Sequence, residues 1–194
     1  MRNFILILLI LLLSGCGKPE MPSPYHATDV SWRYAHADFQ LTDFNGDTRS
    51  LLSFRGKVVV LFFGYTHCPV VCPTTLAKLA HAMRLLGKDA NRVQVLFVTL
   101  DPERDSPEIL AKFVPSFYPS FLGLYGDARA TTKAANTFGV KYTKQYDKHG
   151  VYTLDHSDGI YLFGIRGQPI LLSPYGQRVD LLAQDIKLLL DISR

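Results

Sequence analysis

Two thiols stand four residues apart in the stretch Gly64-Tyr65-Thr66-His67-Cys68-Pro69-Val70-Val71-Cys72-Pro73. On a helix, Cβ atoms at that spacing lie about 5–6 Å apart, and a disulfide tolerates a Cα separation of roughly 4.4–6.8 Å. Cys68 and Cys72 can therefore cycle between dithiol and disulfide, or hold one soft metal ion between their sulfurs. As a structural staple the pair would be poor. A disulfide stabilises chiefly by closing a long loop, and this one encloses only three residues.

The elements that must position the thiols can be read on either side. Ahead of them, Lys57-Val58-Val59-Val60-Leu61-Phe62-Phe63 is a β-branched and aromatic run with the character of a buried central strand. Behind them, Leu76, Leu79, Ala80, Met83 and Leu86 recur at helical spacing up to Gly87, a residue suited to end a helix. The thiols thus fall at the carboxyl end of a strand, beside a helix N-terminus. Open α/β sheets bind ligands at that edge, and the positive helix end favours a thiolate over a thiol. The prolines admit two helix starts. Either Cys68 caps a helix that begins at Pro69 and kinks at Pro73, or the helix begins at Pro73 and both cysteines lie in the loop before it.

Further along, Val93 to Leu100 reads as a second buried strand that runs into Asp101-Pro102-Glu103-Arg104-Asp105. Ser106 caps a helix with Pro107 at its first position, ending before Pro115. Phe121 to Tyr125 reads as a short strand, and Asp127 caps a helix through Phe138 that stops at Gly139. Asp101 and Asp105 suit ordinary loop and cap chemistry, yet Asp101 leaves its strand at the thiol edge and can act there behind the ligands. Phe39–Asp43 and Thr48–Leu52 form an N-terminal hairpin across Asn45-Gly46, with a type I′ turn expected. Val140 to Leu154 reads as an inserted hairpin turning at Asp147-Lys148-His149-Gly150. Ile160–Phe163 is a strand and Ile170–Leu172 an edge strand after the Gly167-Gln168-Pro169 turn. Val179, Leu182, Ala183, Ile186, Leu189 and Leu190 make an amphipathic closing helix.

This order predicts an α/β chain with a thioredoxin-like fold, a central mixed sheet flanked by helices. By fold analogy, Ile160–Phe163 runs antiparallel to the strand before the cysteines. Its start then shares their rim, and His156 faces Cys68 and Cys72. Asp155 or Ser157 can orient the His156 ring, as metal-bound imidazoles require. His67 is a further candidate, as a ligand or as a cation lowering the thiol pKa, although a residue immediately before the first cysteine commonly points elsewhere. His26, His36 and His81 suit surface roles, and His149 an exposed turn. Two thiolates and one imidazole make a soft three-coordinate set that suits copper and leaves structural zinc one ligand short.

The chain has 194 residues, enough for one domain with a sizeable core, and shows no internal repeat. A formal charge of +4, with basic residues forming no stripe, argues against nucleic acid. Arg2 precedes a solid apolar run, Phe4 to Leu13, with the dimensions of a signal h-region and too short to span a bilayer comfortably. Leu13-Ser14-Gly15-Cys16 then resembles the bacterial lipobox, which is cleaved before a cysteine that receives lipid. The expected organisation is a signal peptide over 1–15, a tether over 16–35 anchored by lipid on Cys16, and a copper-binding domain over 36–194, exported and held at the bacterial cell envelope.

Three motifs, Cys68-Pro69-Val70-Val71-Cys72-Pro73, Asp101-Pro102-Glu103-Arg104-Asp105-Ser106-Pro107-Glu108 and Asp155-His156-Ser157, together resemble the SCO (SenC) family of copper proteins, from about Ala37 to the C-terminus. The resemblance implies a membrane-anchored thioredoxin fold that binds copper, as Cu(I) or Cu(II), through Cys68, Cys72 and His156. It implies subunit II of cytochrome c oxidase as the partner, whose dinuclear copper site the family assembles by delivering copper, by reducing that subunit's cysteines, or both. Such a protein is a metallochaperone rather than an enzyme, and a monomer is expected. The competing reading is a metal-independent thiol–disulfide oxidoreductase or peroxidase-like enzyme with Cys68 and Cys72 as its catalytic redox pair. His156 discriminates, because a dithiol catalyst has little need of it. The chain departs from the family at Val70, where an aspartate is usual, and at Ile165-Arg166-Gly167, where Asp-Pro often precedes the glycine.

Overall fold

The computed structural model describes residues 23–168 and 170–191. The strands are β1 (Thr28–Asp29), β2 (Leu41–Asp43), β3 (Thr48–Arg49), β4 (Val58–Gly64), β5 (Val93–Thr99), β6 (Leu122–Tyr125), β7 (Tyr142–Tyr146), β8 (Tyr152–His156), β9 (Ile160–Phe163) and β10 (Ile170–Ser173). The α-helices are α1 (Ser31–Tyr34), α2 (Val71–Leu86), α3 (Pro107–Phe113), α4 (Ala128–Thr137) and α5 (Val179–Asp191). The expected signal segment 1–15 and Cys16 lie outside the described residues. Among those residues no helix is long and apolar enough to cross a membrane.

Eight strands form one mixed sheet in the order β1-β10-β9-β4-β5-β6-β2-β3, and β7 pairs with β8 in a separate ribbon. β4 and β5 are parallel, in register from Val58↔Val93 to Gly64↔Thr99, and every residue of both is buried. Strands covered on both faces read as continuous apolar runs, which is why these two were visible in the sequence. Successive side chains alternate faces. Phe62 packs on Phe97, while Phe63 packs with Phe138 and Tyr161 on the other side. α2 packs on α5, burying the predicted stripe Leu76, Leu79, Ala80, Met83 and Leu86 against Leu182, Ile186 and Leu189. β9 runs antiparallel to β4 with Phe62 opposite Ile160, so the start of β9 lies at the carboxyl end of β4. This is the predicted thioredoxin-like arrangement.

Four local expectations change. α2 begins at Val71, which is neither of the two starts weighed, and Pro73 occupies its third position. The first N–H groups of a helix have no intrahelical acceptor, so a proline there loses no bond and causes no kink. In the N-terminal hairpin Gly46 alone has positive φ, and its N–H donates to the Asp43 carbonyl. A type I′ turn needs positive φ at both central residues. The loop is instead a turn over Asp43–Gly46 whose left-handed residue is Gly46, and β3 ends at Arg49 before a 3₁₀ turn, Leu51–Phe54.

The other two changes involve contacts distant in sequence. β10 is not an edge strand, because β1 pairs with it and Val30 N–H donates to the Ile170 carbonyl. Part of the segment expected as tether therefore belongs to the sheet, with Ala27, Val30 and Tyr34 buried. The fully buried carboxylate of Asp185 on α5 fastens it, accepting from His26 N–H at 2.8 Å, Ala27 N–H at 2.9 Å and Gln177 Nε2 at 2.8 Å. The stretch reads as a tether in sequence because the acceptor that orders it lies over 150 positions away. Finally, the inserted hairpin spans 142–156, two residues further along than expected, and His156 is the last residue of β8 rather than part of the following loop.

Asp185→Ala strands the buried Ala27 N–H and unties the N–H of the exposed His26, and is expected to lower the unfolding free energy by roughly 1–3 kcal/mol. Urea unfolding measures this, and limited proteolysis should show the first new cleavages before Val30.

Candidate metal centre

Cys68, Cys72 and His156 come together at the rim where β4 ends and β9 begins, with one donor atom from each lying within 4.8 Å of the others. Cys72, on the first turn of α2, is fully buried, and Cys68, in the loop before it, is half-buried. Both are free thiols. The close fit depends on Gly64, since a Cβ there would stand 2.7 Å from Cys72 Sγ and 2.9 Å from Phe97 Cε2.

His156 Nε2 lies 3.6 Å from Cys72 Sγ. Its Nδ1 lies 2.8 Å from the Ser157 backbone carbonyl. A carbonyl only accepts, so Nδ1 carries the proton and Nε2 presents a lone pair toward the sulfurs. Phe62 and Tyr65 flank the ring at centroid distances of 6.5 and 5.9 Å. Of the two residues expected to orient it, Ser157 does so through its main chain, its hydroxyl accepting instead from Lys141 N–H at 3.2 Å. Asp155 is exposed on the neighbouring position of β8, where the pleat turns its side chain to the other face.

The two thiols differ electrostatically. Burial pushes the Cys68 thiol up, but the N–H groups of Cys72, Val70 and Val71 at the start of α2 outweigh it and hold its pKa below the ordinary thiol value. Cys72 N–H donates to Cys68 Sγ at 3.4 Å. For Cys72, burial dominates and drives the pKa far above the ordinary value, with the nearby Cys68 thiolate and Asp105 adding to it. Cys68 is therefore the more readily ionised of the two thiols, and Cys72 is a neutral thiol within reach of both Cys68 Sγ and His156 Nε2.

His67 does not join this group. Its Nδ1 lies 3.1 Å from Thr66 Oγ1 and 3.5 Å from Asp105 Oδ1, and half the side chain is exposed. Asp105, which loop chemistry seemed to explain, is fully buried and braces the thiol loop: it accepts from Thr66 N–H at 2.9 Å, Thr66 Oγ1 at 2.6 Å and Thr99 Oγ1 at 2.6 Å. Asp101 is buried and accepts from Arg104 Nε and from the hydroxyl of Tyr152, which shares β8 with His156. The sequence reading missed Gly64, Tyr65, Arg104 and Tyr152. Gly64 alone carried a signal, because a glycine within a strand pattern marks a close approach.

The chain matches the SCO1/SenC family over residues 31–191. It is 40% identical over 133 residues to the mitochondrial SCO2 homolog of Homo sapiens, covering 67% of this chain and 50% of that protein. It is 34% identical over 133 residues to a SCO2-like protein of Rickettsia conorii, covering 68% of this chain and 65% of that one. It thus spans about half the length of the mitochondrial relative. Among solved structures, Bradyrhizobium japonicum ScoI with copper bound superposes with a TM-score of 0.71 at 39% identity, covering 78% of this chain and 96% of that one. The apo Sco1 protein of Thermus thermophilus gives 0.70 at 41% identity, covering 79% and 90%.

Two outcomes follow from this geometry. Limiting iodoacetamide on the reduced, metal-free chain is expected to label Cys68 and spare Cys72, with a rate that rises with pH and has its midpoint below the ordinary thiol value of about 8.5; peptide mapping across a pH series reads both. Gly64→Ala is expected to displace Cys72 Sγ from His156 and to cost about 1–3 kcal/mol in urea unfolding, as overpacking does.

Proposed function

The chain belongs to the SCO1/SenC family, and we propose that it is an extracytoplasmic copper-binding protein whose ligands are Cys68, Cys72 and His156. The observation that carries this reading is the convergence of the three donor atoms within 4.8 Å, with the His156 lone pair turned toward the sulfurs. Two thiolates and one imidazole select Cu(I) over harder ions. The likeness to ScoI of Bradyrhizobium japonicum, solved with copper bound, supports the same ion. In the proposed role the copper is cargo, passed to the dinuclear site of cytochrome c oxidase subunit II. Taking it up displaces the Cys72 proton, because a thiol must ionise to bind a metal.

Export and anchoring are part of the proposal. Residues 1–15 serve as the signal peptide, Cys16 carries lipid, and the residues between Cys16 and β1 tether the domain to the membrane at the cell envelope. The support is the sequence Arg2, Phe4–Leu13 and Leu13-Ser14-Gly15-Cys16.

One observation favours a second activity at the same site, reduction of the partner's disulfide. A half-buried thiol of lowered pKa beside a buried, neutral one is the asymmetry of an attacking and a resolving cysteine. Cys68 would attack one partner sulfur and expel the other as a thiolate. Cys72, losing its proton, would then displace the mixed disulfide, leaving a Cys68–Cys72 disulfide and a partner dithiol. Two electrons pass to the partner.

Titration of the reduced full chain with Cu(I) against a competing chelator tests the copper reading. One copper per chain is expected, with tight binding abolished by Cys68→Ser or Cys72→Ser and weakened more than about tenfold by His156→Ala. Affinity should rise about tenfold per pH unit near neutrality, following release of the Cys72 proton. Undiminished binding in both cysteine variants would end the proposal. A His156→Ala variant that still reduces a model disulfide would separate the second activity from the first.

A further inference from the structure

The β7–β8 ribbon pairs with no strand of the main sheet, yet its last residue is His156. Sheet hydrogen bonds therefore do not seat the imidazole against the sulfurs. At the base of the ribbon the ties are exposed to water: Ser157 N–H to the Lys141 carbonyl at 3.0 Å, and the Thr132 and Tyr142 hydroxyls 3.0 Å apart. The 157–159 loop that joins β8 to β9 ends in Gly159, and Ser157 and Asp158 are exposed. Such a connection leaves the ribbon to be oriented by side-chain contacts, of which the buried Leu154 supplies one in the middle of β8.

It is held at the other end of β8. The Arg104 guanidinium carbon lies 3.7 Å from the Tyr152 ring centroid, and Nη1 donates to the Tyr152 carbonyl at 2.8 Å. Arg104 Nε donates to Asp101 Oδ2, and the Tyr152 hydroxyl donates to Asp101 Oδ1 at 2.8 Å. Asp101 is anchored in turn, its N–H donating to Thr99 Oγ1 at the end of β5 at 2.9 Å. The guanidinium also faces the buried Tyr65 ring at 5.8 Å, and Tyr65 flanks His156. A Lys144–Glu103 pair at 2.7 Å closes the outer side. Cation–π contacts and charge-assisted hydrogen bonds gain strength when water is excluded, and the carboxylate at the centre of this cluster is 2% exposed.

We infer that Arg104 is the positioning residue for His156: by keying Tyr152 to Asp101 it fixes the ribbon whose last residue completes the donor set. The inference rests on the copper reading above, but its first test does not. Hydrogen exchange on the metal-free full chain compares wild type with Arg104→Ala and Tyr152→Leu. β8 amides should exchange about tenfold faster or more in both variants, while β4 and β5 keep their protection. Tyr152→Leu leaves the Arg104–Asp101 pair in place, so the question stays answerable if Arg104→Ala fails to fold.

Cu(I) affinity of both variants should fall to the level of His156→Ala, and Arg104→Ala/His156→Ala should bind no more weakly than His156→Ala alone, the mark of two residues acting as one. Nitrogen coupling from His156 in the Cu(II) electron paramagnetic resonance spectrum should be lost with Arg104. Wild-type exchange of β8 in both variants, or losses that add in the double variant, would overturn the assignment. Copper binding untouched by His156→Ala would sink the copper reading instead, and the exchange data would still decide the role of Arg104.

Discussion

Cys72 is buried against the bare Cα of Gly64, and the character of the whole rim follows from that contact. A sulfur taken out of water at the end of β4 resists ionisation, so it remains a thiol, with His156 Nε2 3.6 Å away and Cys68 Sγ as a second acceptor. Cys68, one helical turn earlier and half-buried, meets the N–H groups at the start of α2, which hold its pKa below the ordinary thiol value. One spacing thus yields two chemically unlike sulfurs. A soft cation that replaces the Cys72 proton gains a second thiolate and an imidazole already aimed at it, with little reorganisation of the protein.

The segment Asp101-Pro102-Glu103-Arg104-Asp105 is the keystone for both arms of the site. Two of its three carboxylates, Asp101 and Asp105, are buried four residues apart, in a turn closed by Arg104 and Asp105 N–H groups donating to the Asp101 carbonyl. Asp105 reaches one way to hold Thr66 and the loop that delivers Cys68. Asp101 reaches the other way to hold Arg104 and Tyr152, and so the ribbon that delivers His156. A buried carboxylate is tolerable only when its acceptor positions are filled. Each therefore enforces the loop geometry that fills it.

Val70 gives this chain its own variation. It occupies the N-cap of α2 without a side-chain acceptor and is 60% exposed beside the thiols. Cys68 Sγ accepts the N–H of Cys72 in its place. The aspartate usual at this position in the SCO family would compete for the same donors. Its absence leaves the sulfur as the acceptor at the helix start and puts an apolar surface, rather than a charge, next to the reactive group.

The motifs and local elements were legible because their causes are local. Both buried strands follow from unbroken apolar runs, α2 from its 3.6-residue stripe, and α3 and α4 from Ser106 and Asp127, whose side chains accept from Ile109 and Ala130 N–H as caps do. The pairing of the thiols also follows from spacing alone. Of the contacts between residues far apart in the chain, the approach of His156 to the thiols was reached by fold analogy, and the others were not legible. Nothing near Thr28 foretells that Asp185 will capture the N–H groups before it, and nothing near His156 foretells that Arg104 will grip the far end of its strand. Residue types and spacing were enough to name the side chains that can bind a soft metal and the strand and helix that carry the sulfurs. The unlike acidities of the two thiols, the ring nitrogen turned toward them and the grip on the imidazole came from the fold, because burial and long-range hydrogen bonds exist only once the chain has folded.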